Sequence, residues 1–156
     1  MTPVPTFDDE IEIAAPPAVV WELVGDVTRM AEWSPQVTST RLSEGRTTCA
    51  LGTRFTNRNV HGELVRTTHA EITRYDARRH LAFRVAENDA TWSFELTPTA
   101  TGTRLAQRRE APDGISDLSR DLTDGFLGGQ EVFTVVLRAG MRETLTKIKL
   151  AAEAPH

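Results

Sequence analysis

The feature that most constrains this chain is one long apolar stripe near its C-terminal end. Within Gln130 to Ala152, Phe133, Leu137, Met141 and Leu145 recur every fourth residue, and Ile148 follows one short step later. Val136 lies beside that line, while Arg138, Arg142, Glu143 and Lys147 fall mostly elsewhere on the wheel. The spacing predicts an amphipathic helix with a single buried face. Gly140 is its weak point, and no proline interrupts it before Pro155. Such a stripe needs an apolar surface to lie against, and nearly everything before it reads as short alternating segments. The expectation is one long helix held by a sheet.

Taken in order, the chain supplies that sheet. Phe7 to Ile13 ends with Ile11 and Ile13 on one face and Glu10 and Glu12 on the other, which predicts a half-buried strand. Ala15-Pro16-Pro17 stops it and opens a short helix through Val20, Leu23 and Val24 that ends near Gly25. Asp26 is placed to cap a second short helix carrying Val27, Met30 and Trp33, closed by Ser34-Pro35. From Gln36 the period changes to two, with strands expected over 37–42, 52–59, 63–75, 80–86, 91–97 and 103–111. Pro112-Asp113-Gly114 breaks the last of them, a short helix is expected over 115–126, and Gly128-Gly129 permits a bend or a movable lid before the final helix. Hairpin-length connections favour an antiparallel meander, and segregated helices and strands argue an α+β fold. No internal repeat or linker divides residues 1–156, so a single domain is expected.

Several function classes are disfavoured. A net charge of −4 speaks against a nucleic-acid footprint. Cys49 is the only cysteine, which rules out an internal disulfide and a cysteine metal cluster. The opening residues lack the basic start and apolar run of a secretory signal, and no apolar run approaches transmembrane length, so a cytoplasmic location without integral membrane association is expected. His61, His69, His80 and His156 show no helical pairing or ligand motif, so no metal is expected, and no other cofactor. There is no phosphate-cradling glycine loop and no GxSxG elbow.

Four stretches carry a family resemblance. They are Glu12 to Asp26 (EIAAPPAVVWELVGD), Met30-Ala31-Glu32-Trp33-Ser34-Pro35, Leu51-Gly52-Thr53-Arg54-Phe55 and Gly102-Thr103-Arg104-Leu105. In order and spacing, over roughly residues 7–152, the chain resembles the START-like (SRPBCC) helix-grip superfamily. Within it, the likeness is to the bacterial polyketide cyclase/dehydrase and lipid-transport branch. The resemblance implies a curved antiparallel sheet of about seven strands wrapped around the C-terminal helix, with a cavity between them for an apolar or amphipathic small molecule. Fold alone does not name a reaction.

The candidate ligand-binding residues are Trp33, Phe55, Asn57, Asn59, Trp92, Phe94, Gln107, Phe133, Leu137 and Met141. For the apolar members the alternative is a closed core. Asn57 and Asn59 share a strand face with Phe55, so each addresses either a ligand oxygen or neighbouring side chains, since an unpartnered buried amide costs about 1–3 kcal/mol. Gln107 and Arg109 alternate in phase with Leu105. Arg109 would hold a carboxylate or phenolate from the cavity end, or pair with Glu95 or Glu110 at the surface. His69 would serve as a general base only if it faces inward; Val65 and the pair Ala70/Ile72 give opposite answers on its parity, and a solvated histidine is the plainer expectation. Phe133, Leu137 and Met141 are expected nearer the cavity than Leu145 and Ile148, and Gly140 is expected to leave room for a ligand or a strand.

Two functions fit these features: a binder of a small hydrophobic or amphipathic ligand (lipid, isoprenoid or polyketide-like), or a cyclase/dehydratase using Arg109, Asn57 and His69. A co-chaperone or antitoxin-like partner-binding module is a third. A monomer or homodimer suits any of them.

Overall fold

The computed structural model describes residues 4–61, 63–87, 89–111 and 130–154, with side chains for all of these except 4–6, 61, 111 and 130–134. Strand β1 (Val4–Ile13) leads into helix α1 (Pro17–Val24) and a 3-10 helix (Val27–Glu32). Six strands follow: β2 (Val37–Leu42), β3 (Arg54–His61), β4 (Leu64–Asp76), β5 (His80–Val85), β6 (Thr91–Thr99) and β7 (Gly102–Ala111). The long helix α2 (Gln130–Glu153) comes last. The break expected at Pro112, the helix over 115–126, the bend at Gly128-Gly129 and the tail beyond 154 fall outside the described residues.

The local reasons are those of the sequence. α1 takes Pro17 in its first turn, where a missing N–H costs nothing, and Gly25 closes it with an N–H bond of 2.8 Å to the Trp21 carbonyl. Asp26 caps the 3-10 helix, its Oδ1 accepting from the Thr28 backbone N–H at 3.0 Å.

All seven strands form one antiparallel sheet in the order β1-β7-β6-β5-β4-β3-β2. β2 to β7 is therefore a meander, and β1 is added on the β7 side. Register shifts between Val4 and Phe7, between Val37 and Ser39, and between Ile72 and Arg74 bend the pairings, as bulges do, and let the sheet wrap. The result is a curved sheet gripping α2.

The GTRL motif explains itself at the join between β7 and β1. A Cβ on Gly102 would lie 2.1 Å from the Ile13 carbonyl oxygen and 2.8 Å from the Ala15 nitrogen, so only glycine fits there. Thr103, fully buried, donates from Oγ1 to the Ala15 carbonyl at 2.8 Å. Arg104 pairs with Glu12 on the outer face, and Leu105 enters the core.

α2 lies along β1. Arg138 stands over the Phe7 ring, Arg142 donates to Asp9, Lys149 donates to the Glu12 carbonyl, and Glu153 accepts from the Ala14 N–H. The helix therefore has one end beside Ile13 and the other beside Phe7. At the Ile13 end Leu105, Leu145 and Ile148 are completely buried, with Val20 from α1, and form a solid core. The Phe7 end is hollow.

Candidate ligand-binding cavity

The strand pairings determine which side chains meet in the hollow. β5 aligns Phe83 with Trp92 and Leu81 with Phe94; β6 in turn aligns Trp92 with Arg109 and Phe94 with Gln107. On the far side β3 aligns Asn57 with Thr68 and Asn59 with Arg66. Alternation sends all of these to the concave face. They line, with Leu137 of α2, Met30 of the 3-10 helix and Trp33 just after it, a cavity of about 130 Å³. That is roughly ten times the space one water requires, enough for an organic ligand.

The polar lining includes Asp26, Gln36, Arg66 and Thr68, and two pairs of amide or cationic side chains stand out in it. Asn57 is internally partnered: its Oδ1 accepts from Thr40 Oγ1 at 2.6 Å, and its Nδ2 donates to Met30 Sδ at 3.5 Å. Asn59 Nδ2 donates to the Asn57 carbonyl at 3.2 Å and to Thr68 Oγ1 at 2.9 Å. This network stiffens β2, β3 and β4 where they line the cavity.

Gln107 and Arg109 form the other pair. Gln107 is 7% exposed and its Oε1 has no hydrogen-bond partner among the described residues; Arg109 is 2% exposed and its Nη1 has none either. The Arg109 guanidinium carbon lies 5.8 Å from the ring centroids of both Phe7 and Trp92, within cation–π range of each. Burial pushes its pKa down to about 10. The surface pairing with Glu95 or Glu110 does not occur. Glu95 sits on the opposite strand face from Phe94, and Glu110 is paired with Arg108 at 2.7 Å.

His69 faces outward, with its Nδ1 2.6 Å from Glu87 Oε2, so it does not reach the cavity. Ala70 and Ile72 set the parity of β4, because they oppose Val85 and Phe83 across the β5 register. Phe55 and Met141 are buried in the core behind the wall rather than on it, while Trp33, Asn57, Asn59, Trp92, Phe94, Gln107, Arg109 and Leu137 all line the cavity. The side chain of Phe133 lies outside the described residues. Sequence reasoning missed the β5 row Leu81, Phe83 and Val85, whose strict alternation beside the Trp92 row was the available signal. It also missed Gln36. A Cβ on Gly140 would stand 2.9 Å from the Gln36 amide, so the helix glycine makes room for a cavity side chain rather than for a ligand directly.

Among the described residues no helix is long and apolar enough to cross a membrane, and no group of three His, Cys, Asp or Glu side chains is placed to hold a metal ion.

Comparisons with known proteins agree with this architecture. A comparison with curated protein sequences finds no match. Among solved structures, a Polyketide_cyc-like protein of Corynebacterium glutamicum is 30% identical over 92% of this chain and 88% of its own, with a TM-score of 0.61. The Zhui aromatase/cyclase of Streptomyces sp. R1128 shares the fold at 18% identity, with a TM-score of 0.74 and coverage of 96% and 93%. StfQ, a di-domain ARO/CYC of the steffimycin biosynthetic pathway, is similar at 17% identity with a TM-score of 0.74; 95% of this chain spans half of that one. Residues 4–153 match the family described as polyketide cyclase / dehydrase and lipid transport. A curved seven-stranded sheet around a C-terminal helix, the motif order from Glu12 to Leu105 and a match over nearly the whole length lead to one conclusion: the chain belongs to the polyketide cyclase / dehydrase and lipid transport family.

Proposed function

We propose that the protein binds a small hydrophobic or amphipathic molecule, of lipid, isoprenoid or polyketide-like character, in the cavity between the sheet and α2. The observation that carries this reading is Arg109: a buried cation in a largely apolar cavity, with Nη1 unbonded among the described residues. An apolar pocket with a few converging polar groups is the usual form of a small-molecule site. The ligand's apolar body would lie against Trp92, Phe94 and Leu137, and its polar end would meet Arg109.

A second reading, cyclase or dehydratase chemistry, is favoured by the same guanidinium. A fixed, buried donor stabilises an enolate as it forms. His69 has no part in that scheme, because it points to the outer face. Asn57, held by Thr40 and Met30, would position rather than transfer protons.

Displacement of a fluorescent hydrophobic probe, backed by native mass spectrometry with fatty acids, isoprenoids and polycyclic aromatic acids, tests binding. Leu137→Trp should fill the cavity and abolish probe uptake while the circular dichroism spectrum is retained. Probe uptake that survives Leu137→Trp unchanged would place binding elsewhere and refute the reading.

A further inference from the structure

We infer that the ligand carries two hydrogen-bonding groups of opposite kind on one rigid apolar body: an anionic oxygen that accepts from Arg109 and a hydroxyl that donates to Gln107. This deepens the binding reading above and rests on it. Both residues line the cavity, both are more than nine-tenths buried, and each has one side-chain atom without a partner among the described residues. The two atoms are complementary in kind, since Nη1 can only donate and Oε1 can only accept. They are not bonded to each other. Leaving either buried atom unmet is unfavourable, and a bound molecule that meets both removes two penalties at once.

The backbone limits how that molecule is built. Gln107 and Arg109 are two residues apart on β7, so their Cα atoms stand about 7 Å apart on one face. Opposite them on β6 are Phe94 and Trp92, in the same order. Each polar group therefore sits beside an aromatic ring. A flat body lying along Phe94 and Trp92 would bring substituents on a single ring system to both polar groups, whereas the two ends of a long acyl chain would lie too far apart. A saturated fatty acid satisfies Arg109 alone. A hydroxylated aromatic acid, or a ring with a hydroxyl placed meta to an enolate or carboxylate, satisfies both. On the wall opposite, Asn57 Oδ1 and Asn59 Nδ2 are already engaged with Thr40 and Thr68.

The test compares 2-naphthoate, 2-naphthol and 4-hydroxy-2-naphthoate as competitors of a hydrophobic fluorescent probe on the full chain. The meta arrangement prevents the hydroxyl from bonding its own carboxylate. The hydroxy acid is expected to bind about tenfold more tightly than 2-naphthoate, the difference one satisfied hydrogen bond makes. In Gln107→Met, similar in shape but without the amide, the ratio of the two affinities should fall from about ten to about one. Equal affinity of the two acids for the wild-type chain overturns the inference and leaves the proposed function standing, and this comparison needs no variant to fold. An advantage that persists in Gln107→Met also overturns it. If none of the three displaces the probe, while the probe itself fails to respond to Leu137→Trp, the proposed function falls and the inference with it.

Discussion

Arg109 is held where a charged side chain is least stable on its own. Among the described residues its charge meets the faces of Phe7 and Trp92 and no acidic partner. Its depressed pKa follows from burial alone. The sign is informative: the folded state resists protonation of this group, so the burden on stability is present at neutral pH. It would lift only as pH rises through about 10. Arg109→Met, which keeps an unbranched apolar stem and removes the charge, should therefore stabilise the free protein by about 1–3 kcal/mol. For a chain of this size that is a rise in Tm of roughly 2–4 °C per kcal/mol, readable by calorimetry. The same variant should lose about tenfold or more in affinity for anionic ligands. A lower Tm in Arg109→Met would mean that the charge is compensated in the native state, and its assignment as a waiting ligand contact would be wrong.

At the scale of the elements, α2 is joined to the sheet's edge by a row of polar contacts as well as by its apolar stripe. Arg142, Lys149 and Glu153 lie seven and four residues apart, near two turns and one turn of helix, and so share a side. They reach Glu10 O and Glu12 O on β1 and Ala14 N just after it, backbone groups that a sheet edge would otherwise leave open. The Ala14 N–H and the Lys149 ammonium hold the Glu153 carboxyl below its usual range. A depressed carboxyl contributes its stabilisation in full above the ordinary carboxylate pKa and loses it as pH falls through the folded value. Melting curves of wild type and Glu153→Gln should thus differ near neutrality by an amount equivalent to less than about 1 kcal/mol, since the pair is largely solvated. The gap should close by about pH 3. A gap that stays constant with pH would assign the effect to packing instead. Element positions were readable in advance because each change of hydrophobic period coincides with a proline, glycine or capping residue, as at Pro16-Pro17, Asp26 and Ser34-Pro35. The row along β1 was not, because it joins residues more than 130 positions apart. The same limit explains His69 and Arg109. Whether His69 shares a face with Val65 or with Ala70 depends on the β4–β5 register, and the burial of Arg109 depends on Phe7 arriving opposite it from β1.

For the molecule as a whole, the grip on α2 is uneven. At the Ile13 end, completely buried Leu105, Leu145 and Ile148 leave no space, and truncating one of them to alanine would cost about 2–5 kcal/mol. At the Phe7 end the sheet and Leu137 stand apart around the cavity, and part of what fills the interface is the polar wall of Asn57, Asn59, Gln107 and Arg109. Dense packing resists local opening and a hollow does not, so the two ends of one sheet should differ in local stability. Amide hydrogen exchange on the free protein should show β3 and β4 around Asn57 and Thr68, and β6 around Trp92, opening more readily than β7 around Leu105 and α2 around Leu145 and Ile148. A bound ligand stabilises only states in which the cavity is formed, by about 2.7 kcal/mol at a hundredfold excess over Kd. Protection should therefore rise most at Asn57, Thr68 and Trp92, and the contrast between the two ends should narrow. Uniform protection across both ends in the free protein, or a ligand effect confined to the Leu145 end, would mean that the cavity is not where the molecule stores its capacity to bind.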